Sequence, residues 1–223
     1  LDVNTDSLII VPGETSPTAF VLTDENDDQI SYFYWGAAKE FASSKVPTQA
    51  ISNAEAVHLA TGDPHFNWKC SEEAKKQDLL VSFDPGQDLG MYDTDKLRDV
   101  ITNTTILFGN HHEIRRILES LEVDLDGLRE IGPIVKTCGA NGSEIYSNNE
   151  KIKIDAIVRE AVDPTGAGDS YRAGFLSRFL NGESLEQSAK FASSVSSFIV
   201  EQQGCQTNMP TFDDAFDRMS EFY

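Results

Sequence analysis

A carboxylate and a bare helix start stand side by side in Asp163-Pro164-Thr165-Gly166-Ala167-Gly168-Asp169, which runs into Ser170-Tyr171-Arg172-Ala173-Gly174-Phe175. Two glycines and an alanine remove side-chain bulk where an amphipathic run opens. Backbone N–H groups are then left uncovered, and the first turn of the helix becomes a place for an anion. Asp169 falls in that first turn. An ionised carboxylate next to an anion site suits one chemistry in particular: deprotonating an oxygen nucleophile while negative charge is held beside it, as in phosphoryl transfer to an alcohol. The same string also describes a tight strand-to-helix turn with a capping aspartate.

Two further groupings could serve that chemistry. Asn110-His111-His112-Glu113 follows the apolar run Thr105–Phe108, and Asn and Glu three apart on a first turn face the same way, toward the strand ends where open α/β sheets bind ligands. The alternative is an N-cap with a capping-box glutamate. Thr137-Cys138-Gly139-Ala140-Asn141-Gly142-Ser143 joins two strand-like runs through glycines, either as an ordinary turn or as a loop against phosphates. No Gly-Lys-Ser/Thr string follows it, so a Walker A loop is excluded. A dinucleotide-type turn fits poorly as well, because Gly-Ala-Gly-Asp comes late and no βαβ unit with a ribose-binding acid follows it.

The string from Asp163 to Leu176 resembles the C-terminal signature of the ribokinase-like (PfkB) sugar and nucleoside kinases. The resemblance implies that Asp169 is the catalytic base and that Gly166, Ala167 and Gly168 supply the anion hole. Asn110 and Glu113 then resemble the family's Asn-x-x-Glu motif, which positions Mg²⁺-bound water and phosphates; Mg²⁺ keeps several waters, so one amide and one carboxylate suffice. Thr137, Gly139 and Gly142 resemble the segment that lies against the phosphates and ribose of ATP. By the same resemblance Gly204 and Asn208 border the adenine, and Asp163 and Thr165 hold a monovalent cation such as K⁺; the alternative for each of these residues is a structural turn. The stretch Gln29–Tyr34 resembles the lid strand of adenosine-kinase-like members. Phe20 and Phe33 are then candidates to stack on a purine, a contact worth about 1–3 kcal/mol per base in single-strand binders. The alternative is that they pack the lid against the sheet or a second subunit. Gln87, in Asp84-Pro85-Gly86-Gln87 at a strand end, borders the substrate in this reading.

The elements that must position these residues follow from periodicity. Residues 1–17 read as a loop. Thr18–Thr23 and Gln29–Trp35, around a polar turn at residues 24–28, form a β-hairpin with exposed aromatics. Short apolar runs then alternate with helical ones: strand-like runs at 56–60, 79–83, 105–108, 133–138 and 144–146, and helices near 68–77, 94–102 and 111–121. Helices near 168–180, 184–200 and 212–222 finish the chain, and the stretch before Asp163 reads as strand-like. Alternation of this kind predicts an α/β fold with a mostly parallel sheet and helices on both faces. With the resemblance it becomes a ribokinase-like three-layer sandwich carrying a small β lid. The expected division is a lid and connection over residues 1–36 and an α/β nucleotide-binding and catalytic domain over 37–223. The family's opening strands and Gly-Gly…Asn sugar-binding segment have no counterpart, and that N-terminal part is expected to be missing from this sequence.

Composition bounds the partners. The chain has 223 residues, 37 acidic against 18 basic, and a formal charge of −19. Such a surface repels nucleic acid and anionic membrane, and a nucleotide must find its positive potential locally, at a helix end or a divalent cation. No apolar stretch approaches membrane-spanning length. Cys70, Cys138 and Cys205 are far apart and form no CxxC pair, so they read as core fillers of a reduced, cytoplasmic protein. His111 and His112 lack a third zinc ligand. The expectation is an ATP- and Mg²⁺-dependent kinase for a primary hydroxyl of a sugar or nucleoside, leaning to a nucleoside such as adenosine, with homodimerisation through the lid. The rival is a nucleotide- or sugar-binding module without catalysis on the same fold.

Overall fold

The protein is described by a computed structural model covering residues 3–23, 29–147 and 150–223. Two compact units divide the chain: Leu1–Val81 with Pro85–Asn103, and Ser82–Asp84 with Thr104–Tyr223. The polar turn expected at 24–28 lies outside the described residues.

In the first unit, β1 (Thr18–Thr23) and β2 (Gln29–Tyr34) pair antiparallel, with Phe20 opposite Tyr32 and Ala19 opposite Phe33. Phe20, Leu22, Ile30 and Tyr32 are all exposed, as the hairpin reading requires. A 3₁₀ turn at Gly36–Ser43, the short helix α1 (Thr48–Ser52) and the strand β3 (Ala56–Leu59) follow. Helix α2 runs over Pro64–Lys76, starting before the expected Trp68. The reason is local: the Asp63 carboxylate accepts the Phe66 N–H at 2.8 Å, and Pro64 fits the first helical position. After β4 (Leu80–Phe83) come a 3₁₀ segment at Gly86–Met91 and α3 (Thr94–Asn103). Lys75 reaches the Thr102 carbonyl and Asn103 the Ser71 hydroxyl, which joins α2 to α3.

The second unit takes the end of β4 and continues through β5 (Ile106–Asn110), α4 (His111–Leu121), α5 (Leu125–Leu128) and β6 (Ile134–Thr137). It ends with β7 (Ser143–Ser147), β8 (Glu150–Ile154), α6 (Ala167–Phe179), α7 (Leu185–Ile199) and α8 (Phe212–Phe222). The sheet order is β3-β4-β5-β6-β7-β8. Pairing is parallel from β4 to β6 and antiparallel from β6 to β8. The connections on either side of β7 are too short for the crossover that a parallel partner needs, so the sheet finishes as a meander. β5 is buried on both faces, as its unbroken apolar run implies, and Ile106, Leu107, Phe108, Ile134, Val135 and Phe175 are fully buried. α6 lies close on α7: a methyl at Gly174 would stand 3.1 Å from both the Ala192 Cα and the Val195 Cγ2.

Three expectations need correction. The strand-like stretch before Asp163 is strand only at its start, in β8; residues 155–162 are irregular. The Val162 N–H donates to the Val200 carbonyl at the end of α7, so that segment is tied to a helix end instead of a neighbouring strand. Strand β8, which pairs with β7, was not separated in the sequence reading. Of the three cysteines only Cys70 is a core filler; Cys138 is half-buried and Cys205 exposed. Among the described residues no helix is long and apolar enough to cross a membrane.

Candidate active site

Strand register brings the first of the expected residues together. Asn110, the last residue of β5, pairs with Thr137, the last of β6. On the other side of β5, Phe83 pairs with Leu107, so Asp84 emerges just past the end of β4. Asp84, Asn110 and Thr137 therefore stand at the carboxyl ends of three adjacent parallel strands, where this class of sheet leaves its crevice.

Asn110 caps α4. Its side-chain oxygen accepts the N–H groups of His112 and Glu113, both at 2.9 Å, while the Asn110 N–H donates to a Glu113 carboxylate oxygen at 2.7 Å. This is a complete capping box, and the structural alternative weighed for the pair is present. One Glu113 oxygen lies outside it. Burial pushes the Glu113 pKa up, and the negative charge of Asp84 adds to the rise. The Asn110 N–H, Arg172 and Arg116 oppose it only in part. The free Glu113 oxygen is a hard donor of the kind that a hydrated divalent cation takes. Among the described residues no group of three His, Cys, Asp or Glu side chains is arranged as a metal cage.

The start of α6 is built the opposite way. Gly166 takes a left-handed conformation, φ +84° and ψ −1°, and caps the helix without a side chain. A Cβ there would meet the Cys205 Cβ at 2.4 Å, so both the dihedral and the space demand glycine. The Ala167 N–H donates to the Pro164 carbonyl at 3.1 Å and is used within the turn. Among the described residues, the N–H groups of Gly166, Gly168 and Asp169 have no protein acceptor. The bare donors thus include Gly166 and Gly168 of the expected set, with Asp169 in place of Ala167. The Asp169 side chain is 78% exposed and forms an ion pair with Arg172, whose other guanidinium nitrogen is 2.5 Å from the buried Asp84.

A groove of about 280 Å³ opens onto this turn. Thr137, Gly139 and Gly142 line one part of it and Ala167 and Gly168 another, so two motifs distant in sequence share one cavity. Its remaining wall is largely apolar, from Ile157, Val158, Pro164, Tyr171 and Val200, with Arg159, Ser193, Ser196 and Ser197 as polar points. Burial raises the Tyr171 pKa, and the neutral phenol shares a 2.7 Å hydrogen bond with Ser143.

Other expected residues do structural work. The two oxygens of Asp163 accept the Thr165 and Gly204 N–H groups, both at 2.9 Å, and these donors, Gly204 first, hold its pKa down. The Gly204 loop is thereby pinned to the Gly166 turn. Asn208 donates to the Phe198 carbonyl at 2.6 Å, near the end of α7. Neither Gly204 nor Asn208 lines the groove. In the first unit, Gln87 is exposed in the 3₁₀ segment after β4, Phe20 is exposed on β1, and Phe33 packs edge-on against Trp35 at 4.9 Å. Sequence reasoning gave no role to Asp84 or Arg172. The signals were there: an aspartate closing an apolar strand, and an arginine three residues after the candidate base.

Comparison with known proteins agrees with this geometry. The pfkB family carbohydrate kinase pattern matches residues 1–212. The nucleoside kinase of Methanothermobacter thermautotrophicus is 56% identical over 98% of this chain and 71% of its own length. That of Methanocaldococcus jannaschii is 43% identical over 99% and 72%. The crystal structure of the latter, described as an archaeal member of the ribokinase family, superposes with a TM-score of 0.88 over 94% of this chain and 69% of that one. The inosine complex of Burkholderia thailandensis nucleoside kinase has the same fold, with a TM-score of 0.92 at 23% identity over 99% of this chain and 74% of that one. Fold and site together define a ribokinase-like α/β phosphotransferase. The chain belongs to the pfkB family of carbohydrate kinases and is a sugar/nucleoside kinase.

Proposed function

We propose that the protein transfers the γ-phosphoryl group of ATP to a primary hydroxyl of a nucleoside, with Asp169 as general base. The observation that carries this reading is the open start of α6. Gly168, whose amide is bare, lines a groove also lined by Thr137, Gly139 and Gly142, and the next residue, Asp169, adds a second bare amide and an exposed carboxylate in the same helical turn. In this mechanism the Asp169 carboxylate accepts the hydroxyl proton as the substrate oxygen attacks the γ-phosphorus. The bond from that phosphorus to the bridging oxygen of ADP breaks in line. The N–H groups of Gly166, Gly168 and Asp169, at the positive end of α6, meet charge on the phosphates. Mg²⁺, oriented through Asn110 and Glu113, would neutralise phosphate charge when bound. The apolar wall of the groove suits the adenine of ATP. Asp163, Thr165, Gly204 and Asn208 hold the loop behind the turn in this reading, and no K⁺ is invoked.

The nucleoside preference is supported by the two archaeal relatives above 40% identity, both named nucleoside kinases. Phe20 and Phe33 as aromatic contacts to the base, Gln87 at the substrate and pairing of the hairpin with a second copy belong to the same proposal. The test measures ADP release by the full-length protein with adenosine, inosine, cytidine, ribose and fructose, for wild type and Asp169→Asn. The nucleosides are expected to lead, and Asp169→Asn to lower turnover by at least about 10²-fold with its melting temperature kept. Nucleotide binding without ADP release from any acceptor would identify a binding module instead, and wild-type turnover in Asp169→Asn would remove the base.

A further inference from the structure

We propose that Arg172 is a positioning residue for the phosphoryl transfer: anchored on the buried Asp84, it holds the exposed Asp169 carboxylate with one oxygen fixed and the other free for the acceptor hydroxyl. The proposal rests on Asp169 being the base. The chain of contacts runs from the protein interior to its surface. The Asp84 side chain is 3% exposed, Arg172 20% and Asp169 78%. One guanidinium nitrogen of Arg172 contacts Asp84 at 2.5 Å, and the other contacts Asp169.

An exposed ion pair three residues apart on a helix is ordinarily loose, because both side chains keep their rotamer freedom. Here one end is fixed. Asp84 closes a buried strand, so Arg172 is held where a solvated arginine would wander. Its side chain also lies toward the start of α6, as helical side chains do, and so carries a positive charge to the positive end of the dipole. That location is unfavourable unless carboxylates compensate for it, and two do. The guanidinium fork is what allows separate nitrogens to meet separate carboxylates; an ammonium offers one point charge. The result is a base whose side chain is aimed before substrate arrives, the state in which general-base catalysis loses least to disorder.

The test uses the full-length enzyme and begins with Arg172→Gln. Turnover is expected to fall about 10²-fold, the effect of misplacing a reacting group by an ångström, with the KM values for nucleoside and ATP nearly unchanged. Removing the arginine alone leaves Asp84 buried with a charge, so the paired variant Asp84→Asn/Arg172→Gln is measured beside it; it should melt near wild type and show the same loss. Millimolar guanidinium should restore part of the turnover of Arg172→Ala and none of that of Asp169→Asn. A folded paired variant with wild-type turnover overturns the proposal, and so does a rise in KM at unchanged kcat. Should Asp169→Asn itself keep wild-type turnover, the base assignment fails and this proposal with it. If only Asp169→Asn loses turnover, the base stands and Arg172 is dismissed.

Discussion

Two helices begin at the candidate site, and their first turns are made in opposite ways. At α4, Asn110 and Glu113 satisfy one another and the neighbouring amides through a capping box. At α6, Gly166 caps with backbone alone and leaves amides without protein acceptors. A closed start is stable by itself and can present only what lies outside the box, here the second oxygen of Glu113. An open start forgoes that local stabilisation and keeps its donors for a ligand. Under the proposed mechanism, the closed start would offer an acceptor to a hydrated cation and the open start donors to an anion.

The largest expected effect is on the open start. Gly166→Ala forces a side chain into a left-handed turn and against Cys205, which should destabilise the protein by at least about 1–3 kcal/mol and lower turnover about 10²-fold. Urea unfolding and ADP release check both, and a neutral result would mean that the turn is not held by its contact with Cys205. Next comes the closed start. Glu113→Gln keeps an acceptor for the Asn110 N–H but removes the charge, and should lower Mg²⁺-dependent turnover about 10–100-fold. Because the folded-state pKa of Glu113 is raised, its protonated form is favoured in the fold. The ionised group therefore costs stability as pH rises above the ordinary carboxylate value of 4.5 and through the higher folded value. Glu113→Gln should then match wild type at lower pH and melt higher at neutral pH. A variant less stable at pH 7 would show that the carboxylate serves the fold, not a cation. The smallest effect is expected from Gly168→Ala. A Cβ there meets only Arg172, at an ordinary 3.5 Å, so the fold should be unchanged or up to about 1 kcal/mol more stable. Any loss of turnover in that variant then reports on the amides it screens.

Much of this was legible in the chain. The apolar runs located β4, β5 and β6, and the glycine-rich string located the start of α6 to within a residue. Both follow from local rules: side-chain period for the strands, missing side chains for the turn. Asn110-x-x-Glu113 was legible as a capping box, and the structure contains one; a cation-orienting pair would use the same spacing. The partner of Arg172 was not. Asp169 is three residues away on the same helix, but Asp84 is 88 residues distant in sequence and meets Arg172 only when β4 and α6 pack. The irregular stretch at 155–162 misread as strand for a related reason, since its backbone partner is a helix end far along the chain.

Sequence by itself determined the kind of chemistry, since the absence of side chains at a helix start and a carboxylate in its first turn are properties of neighbouring residues. Which amides stay bare, which carboxylate is buried and which loop backs the turn were decided by the tertiary structure. Those outcomes depend on contacts between segments tens of residues apart, and no local pattern encodes which of them meet.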